Sequence, residues 1–151
     1  GAGMALAAAC DHVIAVDTAS FTIAYTAAGL SPDGSSTWAL PRRIGPGRTR
    51  ELMLTNRRLS AAEALDWGLA NEVVPAADLV ARTNALAAQF AAGPTAAYGR
   101  VKELLAASAT NNIETQMELE ARAIADSART TDAREGIDAF LGKRKPVFRG
   151  N

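Results

Sequence analysis

Apolar residues near the front of the chain come in short runs, and farther along they recur every three or four positions. The opening "GAGMALAAACD" (1–11) sets Gly1 and Gly3 before an Ala/Leu/Met run of strong helix formers, which predicts a loop turning into a short helix. "HVIAV" (12–16) and "SFTIA" (20–24) are β-branched and of strand length, so both are predicted as largely buried strands. Gly29, Pro32 and Gly34 punctuate a loop, after which "SSTWALPRRIG" (35–45) predicts a short helix stopped at Pro41.

Beyond that point the pattern is helical. Leu52, Met53 and Leu54 fall on a helix ending near Asn56. Ser60 and Glu63 have the spacing of a capping box, and Gly68 can supply a left-handed helix end. "NEVVP" (71–75) is a short strand or extended link closed by Pro75. A helix over 76–92 carries Leu79, Leu86 and Phe90, and Pro94 opens another through Val101, Leu104 and Leu105. Ile113, Met117, Ala121 and Ile124 repeat at helical spacing over 112–129, and a last helix over 131–143 ends in "GKRK" with Pro146 beyond.

The predicted order is strands and short helices over 1–75, then a helical region over 76–151, an α/β chain without internal repeats or linkers. Two short strands make no stable sheet alone, so further strands are expected upstream. The chain also starts on a Gly-rich helix entry without methionine, so it is expected to be the C-terminal part of something longer.

Length and charge narrow the function. At 151 residues there is enough chain for a sizeable core. Lys+Arg and Asp+Glu are 16 each, which gives no pull toward nucleic acid or an anionic membrane. No apolar run approaches the roughly 18–20 residues of a membrane span, and the apolar opening lacks a basic leader, so a cytoplasmic protein is expected. Cys10 and His12 are each the sole residue of their type, which excludes an intrachain disulfide and a multi-cysteine zinc site and leaves a histidine-based metal site or a Ser-His-Asp triad very little to work with. Cys10 is expected to be a small buried residue, His12 a satisfied strand-end residue, and Trp38 and Trp67 packing residues.

One carboxylate stands out. Asp33 sits in a Ser-Pro-Asp-Gly turn between an apolar run and a predicted helix, where it is either a helix cap or a catalytic group whose pKa an apolar pocket would raise.

Several motifs together carry a resemblance. Gly-x-Gly-x-x-Leu-Ala (1–7), Cys-Asp (10–11), "GLSPDG" (29–34), "LPRRIG" (40–45), "ELMLTNRRLSAAEALDWGLANEVVP" (51–75) and "AFLGKRKPVF" (139–148) resemble the enoyl-CoA hydratase/isomerase (crotonase) superfamily over essentially the whole chain. The resemblance implies the C-terminal part of a crotonase-like ββα spiral over 1–75, then a helical trimerisation region over 76–151, with an upstream core of roughly a hundred residues in the longer parent. It also implies an acyl-CoA substrate in fatty-acid metabolism, a homotrimer or dimer of trimers, and coenzyme A only as part of the substrate, with no metal or redox cofactor.

The family holds the thioester oxygen of an acyl-CoA in two backbone N–H groups while it becomes an enolate. The resemblance assigns one donor to Ala2 and the other to the upstream segment. Outside that context, Gly1 and Gly3 are simply a tight loop before a helix. The two glutamates of the hydratases fall at Ala5 and Tyr25, and neither residue can serve as a carboxylate acid or base. Asp33 falls where several isomerases carry the acid that moves a proton between the α and γ carbons, and where the 4-chlorobenzoyl-CoA dehalogenase branch has its nucleophile. That branch has a tryptophan at the position of Tyr25, although the block 48–75 resembles it closely. Tyr25 either orients Asp33 or lines the acyl pocket, or else is a core aromatic. Phe140 and Lys143 match a pair that meets the CoA adenine and phosphates; the alternative is a solvated basic tail that complements the helix dipole.

The expected activity of the full-length parent is therefore enoyl-CoA double-bond isomerisation. The alternatives are an aryl-CoA dehalogenase or hydrolase with Asp33 as nucleophile, and a non-catalytic fragment or assembly module for the 151-residue chain.

Overall fold

The computed structural model describes all 151 residues. Helix α1 (Ala2–Ala9) opens the chain, followed by strands β1 (Ile14–Val16) and β2 (Ser20–Phe21), a 3-10 turn (Thr26–Ala28) and helix α2 (Ser36–Thr55). Strand β3 (Leu59–Ser60), helix α3 (Ala61–Asp66) and strand β4 (Glu72–Val74) come next. After a 3-10 turn (Ala76–Asp78), helices α4 (Leu79–Ala91), α5 (Thr95–Ala107), α6 (Ile113–Ser127) and α7 (Thr131–Leu141) complete the chain.

The chain divides into two compact units, Gly1–Thr83 and Asn84–Asn151. In the first, β1 pairs with β4 in parallel, with Ile14, Ala15 and Val16 opposite Glu72, Val73 and Val74. That connection needs a crossover, and α2 and α3 provide it. β2 pairs antiparallel with β3, with Phe21 opposite Leu59. Each sheet has only two strands. The predicted burial of both strands therefore holds only in part: Ala15 and the neighbouring Val13 and Ile23 are in the core, whereas Ser20 is exposed. The fully buried side chains Ile23, Leu40, Leu52, Leu59 and Leu69 come from strands, helices and the α3–β4 link alike.

Pro41 does not stop its helix. α2 runs through it and breaks at Gly45, whose φ of 80° and ψ of 158° suit glycine alone. Proline's fixed φ is helical, so inside the helix it forfeits a backbone bond, and Ser36, Ala39, Leu40 and Ile44 bury one face in compensation. Pro46 then starts the second segment, and the Thr49 hydroxyl donates to the Gly45 carbonyl at 2.8 Å. Arg43 fastens α2 to the end of α1: its Nε donates to the Ala8 carbonyl at 2.7 Å and its guanidinium also reaches the Cys10 carbonyl. Cys10 is itself exposed, contrary to expectation, because it lies just past the helix with its side chain turned back to the Leu6 carbonyl. α2 ends at Asn56 in a left-handed conformation, φ 55°. The predicted capping box at Ser60 and Glu63 is complete, and Gly68 is left-handed at φ 81°.

The aromatic expectations divide. Trp67 packs partly against the core, flanked by the Arg48 and Arg57 guanidinium groups at 4.7 and 4.8 Å. Trp38 is no packing residue: it is 53% exposed and covered only by Arg42 at 4.0 Å, because its side of α2 points away from the core.

In the second unit, α5 packs on α6, and the Gln116 amide reaches across to the Leu104 carbonyl at 3.1 Å. The residues after α7 fold back along it. Asp132, 5% exposed, accepts the Arg149 and Gly150 amides at 2.7 and 2.8 Å, and Glu135 accepts both Arg144 Nη atoms at 2.6 and 2.8 Å. Phe148 lies over Gly136 in this arrangement.

Candidate active site

The turn after β2 holds Tyr25 and Asp33, the two side chains that the sequence puts forward as candidate catalytic groups. Tyr25 starts the 3-10 turn, and its carbonyl accepts the Ala28 and Leu30 amides, both at 3.0 Å. Gly29, Gly34 and Ser35 all have positive φ, so the backbone reverses tightly before α2. The reversal brings Asp33 back to Tyr25, whose phenol O–H donates to Asp33 Oδ1 at 2.6 Å. The hydrogen bond to Asp33, then burial and the carboxylate's charge, raises the phenol's pKa above its ordinary value.

Asp33 does not cap α2 with its side chain. Its main-chain carbonyl accepts the Ser36 amide at 3.1 Å and the Ser36 hydroxyl at 2.8 Å, so the helix start is satisfied while the carboxylate stays with Tyr25. Nor does an apolar pocket enclose the group. Asp33 is exposed, and the apolar contact of its loop is made by Gly34 instead. A Cβ at Gly34 would lie 3.3 Å from the Ala5 Cβ, and Ala5 is 1% exposed. The loop therefore sits directly on α1 at Ala5.

Ala2 precedes Ala5 by three residues on the same side of that helix, about 4.5 Å along the axis. Its amide belongs to the first turn, where N–H groups have no intrahelical acceptor and the helix dipole favours negative charge. A cleft of about 360 Å³ opens there, lined by Gly1–Met4 and Ser20–Thr22. Tyr25 and Asp33 are not among its lining residues, so the pair and the helix start are linked through the Ala5 contact and not through a shared cavity.

His12 is satisfied at the strand end as predicted, with Nε2 3.1 Å from Glu72 Oε1. Arg82 grips the same carboxylate at 2.6 and 2.7 Å, and chiefly for that reason the Glu72 pKa lies below the ordinary carboxylate value. Phe140 and Lys143 lie in the second unit. Phe140 is 83% exposed on the last turn of α7, and Lys143, also exposed, follows it in a left-handed conformation at φ 51°. Sequence reasoning ended α2 near Asn56 without assigning its side chain, which binds the Tyr25 turn; a polar residue at a left-handed helix end was the available signal.

The enoyl-CoA hydratase/isomerase family model matches residues 1–151. A 1,2-epoxyphenylacetyl-CoA isomerase of Escherichia coli is 40% identical over 150 residues, covering 99% of this chain and 57% of its own. A 4-chlorobenzoyl coenzyme A dehalogenase of Arthrobacter is 35% identical over 143 residues, covering 95% of this chain and 52% of its own. The crystal structure of an enoyl-CoA hydratase/isomerase from Cupriavidus metallidurans superposes with a TM-score of 0.91 at 38% identity, covering 99% of this chain and 57% of that one. The chain thus spans little more than half the length of these relatives.

Proposed function

The chain belongs to the enoyl-CoA hydratase/isomerase family, and from that premise we propose that it carries the acid–base group of an enoyl-CoA double-bond isomerase. The observation that carries this is the Tyr25–Asp33 bond. It fixes one oxygen of a solvent-accessible carboxylate and leaves the other open to substrate. In the reaction Asp33 takes a proton from the α carbon of a β,γ-enoyl thioester, and the C–H electrons move to the thioester oxygen as an enolate. The Ala2 N–H at the start of α1 is one of the donors that hold this oxygen. Collapse of the enolate shifts the double bond, and Asp33 returns the same proton to the γ carbon.

Ala5 and Tyr25, at the positions of the hydratase glutamates, leave Asp33 as the acid of the site. The burial of Ala5 supports this: it is 1% exposed, and a Cβ added at the neighbouring Gly34 would already lie 3.3 Å from its Cβ, which leaves little room for a longer side chain at position 5. Similarity to a protein named 1,2-epoxyphenylacetyl-CoA isomerase supports isomerase chemistry on a CoA ester. Phe140 and Lys143 are proposed to meet the adenine and phosphates of CoA, a use consistent with their exposure at the end of α7. A homotrimer or dimer of trimers would cover the exposed apolar side chains of α5 and α6: Val101, Leu105, Ile113, Met117 and Ile124.

Asp33→Asn in the longer protein that contains this chain is expected to slow isomerisation by about 10²–10⁴-fold while CoA-ester binding is retained. Turnover equal to the unsubstituted protein would sink the proposal. The dehalogenase similarity favours a second reading, in which the Asp33 carboxylate attacks a halogenated aryl carbon, halide departs and water cleaves the resulting ester. Mass-spectrometric trapping separates the two, because the proton shuttle leaves no covalent aryl ester on the peptide containing Asp33.

A further inference from the structure

We propose that Asn56 is a positioning residue for the Tyr25–Asp33 pair, fastening the turn that carries Tyr25 to the C-terminus of α2. The inference rests on the role given above to Asp33.

Between Phe21 and Gly29, the chain that presents Tyr25 has no strand or α-helix of its own. The last turn of α2 holds it instead. The Thr26 hydroxyl lies 2.6 Å from the Met53 carbonyl, 2.8 Å from Asn56 Nδ2 and 3.0 Å from Asn56 Oδ1. A hydroxyl has one proton, and the shortest contact goes to Met53, which leaves the hydroxyl oxygen to accept from Nδ2. Asn56 Oδ1 then accepts the Ala27 amide at 3.3 Å. Its main-chain carbonyl accepts the Thr22 hydroxyl at 3.2 Å. One residue thus binds the turn both before and after Tyr25, and it satisfies part of the helix end as it does so.

The geometry depends on the left-handed backbone of Asn56, φ 55°. Glycine adopts that conformation freely and asparagine tolerates it, but only asparagine brings an amide that both donates and accepts. Asn56→Gly therefore keeps the helix end and removes the clasp. The turn that carries Tyr25 would then keep, of its bonds to the end of α2, only those of the Thr26 hydroxyl to Met53 and of the Thr22 hydroxyl to the main chain at 56. The raised pKa of its phenol, caused first by the hydrogen bond to Asp33, provides a signal for that distance.

The chain has two tyrosines, so in a Tyr98→Phe background tyrosinate absorbance against pH reports Tyr25 alone. Asn56→Gly is expected to lower the midpoint toward the value reached in Asp33→Asn, and Thr26→Val to move it in the same direction. Leu69→Val, a core change outside the clasp, sets the comparison. An unmoved midpoint in Asn56→Gly, or an equal shift in Leu69→Val, overturns the proposal. In the longer protein, turnover is expected to fall about tenfold or more in Asn56→Gly with little change in KM. The titration reads the placement of Tyr25 whatever reaction the pair performs, so failure of the Asp33→Asn turnover test would remove the isomerase assignment and leave this result standing.

Discussion

Replacing Ala5 with glutamate would put a carboxylate where the resemblance places one of the two glutamates of the hydratases. The structure gives it no room. Ala5 is 1% exposed, and the Asp33 loop passes so near it that a Cβ added at Gly34 would lie 3.3 Å from the Ala5 Cβ. Adding the rest of a glutamate side chain forces the loop off α1 or the side chain off its rotamer, a cost of about 1–3 kcal/mol. The carboxylate would also lose water, which adds an effective penalty of several kcal/mol unless it stays protonated. At neutral pH a loss of about 3 kcal/mol or more follows, or roughly 6–12 °C in Tm for a chain of this size. Burial raises the acid's folded pKa above its unfolded one, so the native state binds more protons between the two values. The destabilisation should be smallest below the ordinary glutamate range and grow as pH rises through it. Thermal melts of Ala5→Glu from acidic to neutral pH, with a crotonyl-CoA hydration assay beside them, measure both effects. Unchanged Tm at neutral pH together with new hydratase activity would refute the view that position 5 is closed by the loop.

Other perturbations test the rest of the architecture. Leu52→Ala removes a fully buried side chain and is expected to cost about 2–5 kcal/mol, read from urea melts. Gly93→Ala would drive a Cβ into the Tyr98 ring and hydroxyl, so the edge-to-face Phe90–Tyr98 pair should separate and its near-ultraviolet circular dichroism fade. Asp132→Ala strips the Arg149 and Gly150 amides of their acceptor and should make residues 144–151 sensitive to protease, while an unchanged digestion rate would contradict the docking described. Glu135, bonded first by Arg144 and then by the Val147 amide, has its pKa lowered from 4.5 to about 2. Its contribution to stability is therefore complete above pH 4.5 and lost as pH falls through about 2, and its carboxyl carbon should titrate there by NMR.

Local spacing made much of this fold legible. The Ser60–Glu63 box, the Gly68 turn and β4 each depend on a few consecutive residues, and each stands where the sequence predicts it. Pro41 misled because a proline is read as a stop, whereas burial of Leu40 and Ile44 carries the helix on to the Gly45-Pro46 pair. β3 was invisible because its two residues are a strand only by virtue of facing β2. Tyr25 and Asp33 could be singled out by residue type, but their contact goes with a positive φ at Gly29 between them and two more, at Gly34 and Ser35, just after Asp33, which no periodicity encodes. The same holds for Asn56 and for Asp132, whose partners lie 30 and 17 residues away. Trp38 and Cys10 failed for simpler reasons: hydrophobic type does not give the side of the helix on which Trp38 falls, nor that α1 ends one residue before Cys10.

The segment folded back along α7 also has a polymer consequence. Each bond from Asp132 or Glu135 to residues 144–150 closes a loop, and the entropy of closure is lost with the first bond formed, so later bonds add at far smaller cost. Asp132 and Glu135 are one helical turn apart, which makes the second closure nearly free once the first is made. The last residues should consequently dock and release as one unit, with the Val147, Arg149 and Gly150 amides exchanging with solvent deuterium at a common rate and not fraying in sequence from Asn151.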